Sequence, residues 1–315
     1  MIKWGVLGYG NIAKRMIQSL QKSKNGELYA IASKSQYRQL KGQYPTLQIY
    51  NSYDALLDDE NVDVVYIALP HGEHFHFAKK ALNNGIAVLC EKPATLSYQH
   101  ICELVKLSQD KQVFFMEAMK TRFIPLIDVL KEELDKGVIG HIQSIETSFC
   151  NHVPFNRKSY LFDEAQGGAL YDVGIYGIAM IQDLLHAKLK SVKGYAKYNH
   201  KVDVDDEITM TFTSGQTGHI HISLEDAKEK IMTITGDKGT ITVAPFYRPE
   251  QAFVKTNKGH YSLEKPYVVD DFYGEIEAVH TCLKNHLIES PQMPHSDSCQ
   301  CILWMEKIKE SFHEN

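Results

Sequence analysis

The chain has no apolar run long enough to cross a bilayer, no low-complexity tract and no stripe of lysine and arginine. The first absence argues against a membrane protein. The last, with a formal net charge of -5, argues against a nucleic-acid partner. Among the six cysteines (Cys90, Cys102, Cys150, Cys282, Cys299 and Cys301) there is no C-x-x-C, and Cys299 and Cys301 stand two apart without partner ligands. They read as free thiols of a reducing compartment, the cytoplasm. Met1–Leu7 runs straight into a buried-strand pattern, so no secretory leader is expected. A metal site is missing too. The histidines of Pro70-His71-Gly72-Glu73-His74-Phe75-His76 diverge on a helix, and no cysteine or acid cluster completes a shell.

What remains is a globular composition, 43% apolar and 23% charged, over 315 residues, a length that suits two domains. The first part alternates short β-branched runs (Lys3–Leu7, Tyr29–Ser33, Val62–Leu69, Ile86–Cys90, Val113–Glu117) with amphipathic stretches (Asn11–Leu20, His74–Asn84, Tyr98–Ser108). Ser97 is placed as N-cap of the last. Strand–helix alternation predicts a parallel sheet with helices on both faces, over residues 1–122. From Phe123 the pattern changes. A helix over Phe123–Lys136 ends at Gly137, and period-2 runs follow, with Ile208, Met210 and Phe212 facing one way and Ile220, Ile222 and Leu224 matching them. Met232–Ile234 and Ile241–Val243 flank Gly236-Asp237-Lys238-Gly239 as a hairpin. With helices at Gly168–Leu185, Gly274–His286 and Asp297–Phe312, residues 123–315 read as an α+β domain on a large, mainly antiparallel open sheet. The whole is of α/β class.

Gly8-Tyr9-Gly10-Asn11-Ile12-Ala13 follows the first strand and opens the first helix. It has the G-x-G-x-x-A form in which the first glycine makes a tight turn and the second lets the backbone approach a pyrophosphate. NAD-dependent sites place an acid at the end of the second strand, on the ribose hydroxyls. Here Ala32-Ser33-Lys34-Ser35 has none, and Ser33 and Lys34 suit a 2′-phosphate, so NADP(H) is the expected cofactor and NAD(H) the alternative. Leu69, Pro70 and His71 after the third strand are expected to border the same cofactor. Glu91-Lys92-Pro93 closes the fourth strand, where a lysine enters the crevice used by ligands. Asp172 and Tyr176 stand four apart on one helix face, a carboxylate and a phenol able to relay a proton to a carbonyl.

Together with Met116-Glu117-Ala118, Arg122-Phe123-Ile124-Pro125 and Val204-Asp205-Asp206, these motifs make the chain resemble the Gfo/Idh/MocA oxidoreductases over essentially its whole length. Within them it looks most like the dimeric dihydrodiol dehydrogenases, which share tyrosine in place of histidine in Asp172-Val173-Gly174-Ile175-Tyr176. The resemblance implies Tyr176 as proton donor, Lys92 as its electrostatic partner with Asp172 orienting, Arg122 among the cofactor contacts, and a homodimer acting on a small molecule. Phe149 and Lys120 are the expected substrate contacts. Those relatives carry Trp where this chain has Lys120, so a polyhydroxylated or anionic carbonyl compound is expected in place of an arene diol. A sugar or inositol dehydrogenase, or a cofactor-binding regulator without catalysis, are the other readings.

Overall fold

A computed structural model describes residues 1–314. The chain forms two compact units, Met1–Lys120 with Val268–Cys299, and Thr121–Tyr267 with Gln300 onward.

The first unit opens with β1 (Ile2–Leu7), α1 (Asn11–Leu20), β2 (Gly26–Ala32), α2 (Tyr37–Gln43), β3 (Gln48–Tyr50) and α3 (Tyr53–Leu57). It continues with β4 (Val64–Ile67), α4 (His71–Asn83), β5 (Ala87–Glu91), α5 (Tyr98–Lys111) and β6 (Phe115–Ala118). The strands are parallel, in the order β3-β2-β1-β4-β5-β6. That order reverses between β1 and β4, so their C-terminal loops lie at the switch point where open α/β sheets bind ligands. Trp4–Leu7 of β1, Val64–Ile67 of β4 and Ala87–Glu91 of β5 are buried on both faces, as a sheet covered on both sides requires. The Ser97 hydroxyl caps α5 by accepting from the His100 amide at 3.3 Å. Three elements, α2, β3 and α3, were not separated by pattern, because three to seven residues are too few to establish a period.

A 3₁₀ turn, Lys120–Phe123, passes from the first unit into the second and leads into α6 (Pro125–Asp135). The helix starts two residues later than expected because Pro125 takes its first position. Then come β7 (Ile142–Cys150), a π turn over Leu170–Gly174 running straight into α7 (Ile175–Leu185), β8 (Leu189–Asn199), β9 (Val202–Phe212) and β10 (Thr217–Ser223). After these follow β11 (Ile231–Gly236), β12 (Gly239–Val243), β13 (Gln251–Thr256) and β14 (Gly259–Glu264). The single helix expected over Gly168–Leu185 is thus two pieces.

The chain closes with α8 (Tyr273–Lys284), α9 (His295–Glu310) and β15 (Phe312–Glu314). The sheet order is β14-β13-β12-β11-β7-β10-β9-β8-β15, antiparallel except at β7/β10 and β15/β8. Val204, Asp206, Ile208, Met210 and Phe212 form the inward row of β9, and Ile220 and Ile222 that of β10, under the π turn and α7.

The expected division at residue 122 differs from the structure. Val268–Cys299 returns to the first unit, where Trp4 Nε1 donates to His280 Nε2 at 2.9 Å and Ser23 Oγ to Glu277 Oε1 at 2.5 Å. These partners are more than 250 residues apart, beyond any local pattern. Among the described residues no helix is long and apolar enough to cross a membrane.

Candidate active site

Gly8 and Gly10 serve different ends. Gly8 has φ +91, and a Cβ there would stand 2.3 Å from the Ala68 carbonyl, so the fold itself requires it. A Cβ on Gly10 would meet nothing within 4 Å. Packing gives no reason for that glycine, and its bare backbone is open to a group from outside the chain. Gly10 is also the N-cap of α1, with no side-chain cap bond and no acid in the first turn. The amides of Asn11 and Ile12 therefore lie at a helix start suited to an anion. These residues fit a dinucleotide pyrophosphate.

Beside them Tyr9 is buried, its hydroxyl 2.9 Å from that of Tyr44. Burial and Tyr44 push its pKa up to about 12, so it is a neutral wall. Gln36 Nε2 donates to the Tyr9 carbonyl at 3.1 Å, and the Gln36 amide to Ser33 Oγ at 3.2 Å. This fixes the turn after β2. Lys34 is exposed there, its Nζ 4.7 Å from the centre of the Tyr53 ring.

After β4, Leu69 and His71 are buried, and Pro70 caps α4. Both His74 ring nitrogens lie against backbone carbonyls, Nδ1 at 2.8 Å from Pro93 O and Nε2 at 2.9 Å from Leu69 O. The ring is a strut between the loops after β4 and β5. Among the described residues, no three His, Cys, Asp or Glu gather where they could hold a metal ion.

Two carboxylates bracket the Glu91-Lys92-Pro93 turn. Glu91 accepts from the Tyr66 hydroxyl and, at 3.2 Å, from the Lys92 amide. Glu117, fully buried on β6, accepts from the Ala94 amide at 2.8 Å. Lys92, in the turn these two carboxylates hold, is half-buried.

Two expected site residues have other tasks. Lys120 is 4% exposed, its Nζ 2.5 Å from Asp271 Oδ2 and 4.5 Å from the centre of the Phe272 ring. Its charge is met inside the first unit, so it is no spare cation for a substrate. Asp271 also takes Arg15 at 2.5 Å. Burial alone would raise its carboxyl pKa, but Lys120 and Arg15 hold it below the usual range. Arg122, expected at the cofactor, is 1% exposed in the second unit. It donates to Gln182 Oε1 and, at 3.3 Å, to Ala179 O, tying down the last turns of α7.

In the second unit the π turn carries Asp172 and delivers Tyr176, which is 8% exposed, at the start of α7. π turns of this kind are frequent at functional sites. The Phe149 ring, near the end of β7, stacks on Tyr176 with centroids 5.5 Å apart. Tyr247 joins them, 4.7 Å from Phe149 and 6.1 Å from Tyr176. Lys230 Nζ lies 5.6 Å over Phe149, and the Arg248 guanidinium 5.1 Å over Tyr247. The register explains the gathering: Ile231 pairs with Ser148 and Val243 with Met232, so the end of β7, the start of β11 and the loop after β12 share one end of the sheet. Tyr247, Lys230 and Arg248 were not singled out from sequence. Pro245-Phe246-Tyr247-Arg248-Pro249, two aromatics and a cation between prolines, was the available signal.

Residues 2–119 match the family described as "Oxidoreductase family, NAD-binding Rossmann fold", and residues 127–242 match the Gfo/Idh/MocA C-terminal domain. Trans-1,2-dihydrobenzene-1,2-diol dehydrogenase of Bos taurus is 27% identical, with 98% of this chain and 96% of that protein covered. The NADP(+)-dependent D-xylose 1-dehydrogenase of Hypocrea jecorina is 28% identical over 99% of this chain and 92% of its own. Among solved structures, a 3-ketoreductase from Actinomadura kijaniata in complex with NADP and TDP-benzene superposes with a TM-score of 0.91 at 24% identity, covering 99% of this chain and 98% of that one. An aldose-aldose oxidoreductase from Caulobacter crescentus gives 0.89 at 18% identity, covering 98% and 97%. These two likenesses concern the fold. With both its Rossmann part and its C-terminal part matched, the chain belongs to the Gfo/Idh/MocA oxidoreductase family.

Proposed function

We propose that the protein is an NADP(H)-dependent oxidoreductase of the dihydrodiol dehydrogenase type, acting on a carbonyl or secondary alcohol of a small polyhydroxylated or diol substrate. The observation that carries this is Tyr176, a phenol delivered by a π turn into a wall of Phe149 and Tyr247. Bound nicotinamide would supply or accept hydride at its C4. Tyr176 Oη gives its proton to the substrate oxygen in reduction and takes it back in oxidation. Lys92, in its bracketed turn, favours the phenolate and the developing alkoxide, and Asp172 orients. The amides after Gly10 hold the pyrophosphate, and Ser33 and Lys34 the 2′-phosphate. Lys34 supports the NADP(H) reading because, among the described residues, it is paired with no carboxylate.

The aromatic wall a diol would stack on, missing at Lys120, is present at Phe149 and Tyr247. A sugar ring can lie on the same rings, so oxidation of a sugar is the second reading, favoured by the likeness to D-xylose 1-dehydrogenase. Initial rates with NADP⁺ and NADPH over arene diols, aldoses, polyols and dicarbonyls separate the two. No turnover of any of them would leave a cofactor-binding regulator. Homodimerisation through the open face of the second unit's sheet, which carries Glu207, Thr209, His219 and His221, belongs to the same proposal, as does a cytoplasmic location suited to the free thiols.

A further inference from the structure

Two acids at the start of β9 have no part in that chemistry, yet lie beneath it. Asp203 is 4% exposed, and its Oδ2 accepts from the Leu170 amide, the first of the π turn, at 2.8 Å. The chain passes so close here that a Cβ on Gly168, whose φ is +114, would stand 2.1 Å from Asp203 Oδ1. Three residues along, Asp206 is fully buried in the inward row of β9, and neither of its oxygens has a hydrogen-bond partner of ordinary geometry. Its register partner on β10 is Ile222, whose Cδ1 occupies the space a Cβ on Gly174 would need. Asp203 thus underlies the first end of the Leu170–Gly174 turn, and Ile222, the register partner of Asp206, its last.

We propose that Asp203 and Asp206 are positioning residues for Tyr176, one carboxyl pair that anchors the π turn from below and so sets where α7 presents the phenol. The proposal rests on the proton-donor reading of Tyr176 given above. Burial first, then the Asp203 and Asp205 carboxylates, push Asp206 up to about 10, so at neutral pH it carries a proton. The charged neighbours that act on Asp206 are Asp203 and Asp205, and Lys309 of α9 lies against Tyr171 of the π turn. On β8 Lys197 is paired with Glu225 at 2.5 Å, on β10 His221 faces Asp205 at 3.5 Å, and on the π turn stands Asp172. A neutral Asp206 adds no second charge beside the carboxyl that accepts from the Leu170 amide. When Asp206 ionises, two like charges share a dry site and the anchor loosens.

Amide hydrogen exchange of residues 170–176, read by mass spectrometry alongside kcat, tests this. Asp203→Ala should speed exchange there by about 10- to 100-fold, the loss of one hydrogen bond to a charged group. It should lower kcat by about 10-fold or more and leave the NADPH Kd within about two-fold. Asp203→Asn, which keeps an accepting carbonyl should the alanine variant not fold, should show a smaller change in the same direction. Asp206→Asn should match the native protein at pH 7. It should also lose the extra exchange the native protein shows between about pH 9 and 10.5, after correction for intrinsic rates. Unchanged exchange in both Asp203 variants, or an Asp206→Asn protein as impaired at pH 7 as Asp203→Ala, overturns the proposal. If exchange responds as stated while Tyr176→Phe turns over normally, the anchor stands and the proton-donor reading fails instead.

Discussion

Replacing Asp271 with asparagine isolates the charge arrangement that occupies Lys120. The carboxylate sits 2.5 Å from both Lys120 Nζ and Arg15 Nη2, with the Lys120 and Asp271 side chains each 5% exposed and Arg15 42%. Removing one partner of a buried pair typically costs about 3–5 kcal/mol, because the other charge stays buried and unpaired. Arg15 is exposed enough to add little. A second acid limits the loss. Glu275 is fully buried nearby, its pKa raised by burial and by Glu91, and it can ionise to meet Lys120 once Asp271 is gone. The lower end, about 3 kcal/mol, is therefore expected for Asp271→Asn, a fall in Tm of about 6–12 °C. Lys120→Met combined with Asp271→Asn should recover most of it, since no charge is then stranded. The folded-state pKa of Asp271 is depressed, so its contribution is fully present above the unfolded pKa and is lost as pH falls through the folded value. The gap between native and Asp271→Asn proteins in urea unfolding should be wide at pH 7 and should close in acid below about pH 4. A loss under about 1 kcal/mol at pH 7, or a gap that persists unchanged to pH 3, would refute the reasoning.

NADPH should bind about 10- to 100-fold more tightly than NADH in fluorescence titrations, with Lys34→Asp narrowing or inverting the ratio; tighter NADH binding by the native protein counts against Ser33 and Lys34. Tyr176→Phe and Lys92→Met should each lower kcat by about 10²–10⁴, and the double variant should be little worse than either, as for groups that act as one unit. Tyr247→Ala should raise KM for the preferred substrate with the NADPH Kd unmoved; a fall in kcat alone would place Tyr247 outside the substrate wall. Sedimentation at micromolar concentration should give twice the 35.8 kDa chain mass, and Glu207→Arg on the open face should shift the protein toward monomer.

What the sequence disclosed and what it withheld divide along a physical line. β1 with its glycine turn, α1, the Ser97 cap and the inward row Ile208–Met210–Phe212 all follow from interactions between residues close in sequence, and each was legible. The π turn was not, because a widened turn has the same apolar residues as an α-helix and differs only in which amide finds which carbonyl. Nor was the return of Val268–Cys299 to the first unit. Lys120 shows why a site residue can be misjudged even when its position is right. It follows β6, and its cation was assigned to a substrate because the relatives it resembles carry Trp there. Its partner Asp271 lies 151 residues away, at the entrance to α8. Arg122, placed at the cofactor by resemblance, donates to Gln182 60 residues on. A resemblance places a residue in the chain but not the distant partner that its charge meets. Of the aromatic wall only Phe149 was singled out. Phe149, Tyr247 and Lys230 have no shared motif and meet because β7, β11 and β12 end together, so the grouping follows from sheet register. The residues proposed to hold a dinucleotide come in short local motifs that a sequence displays. Those proposed to meet a substrate are gathered by the fold, and substitutions that shift the β7–β11 register should change substrate preference before they change cofactor affinity.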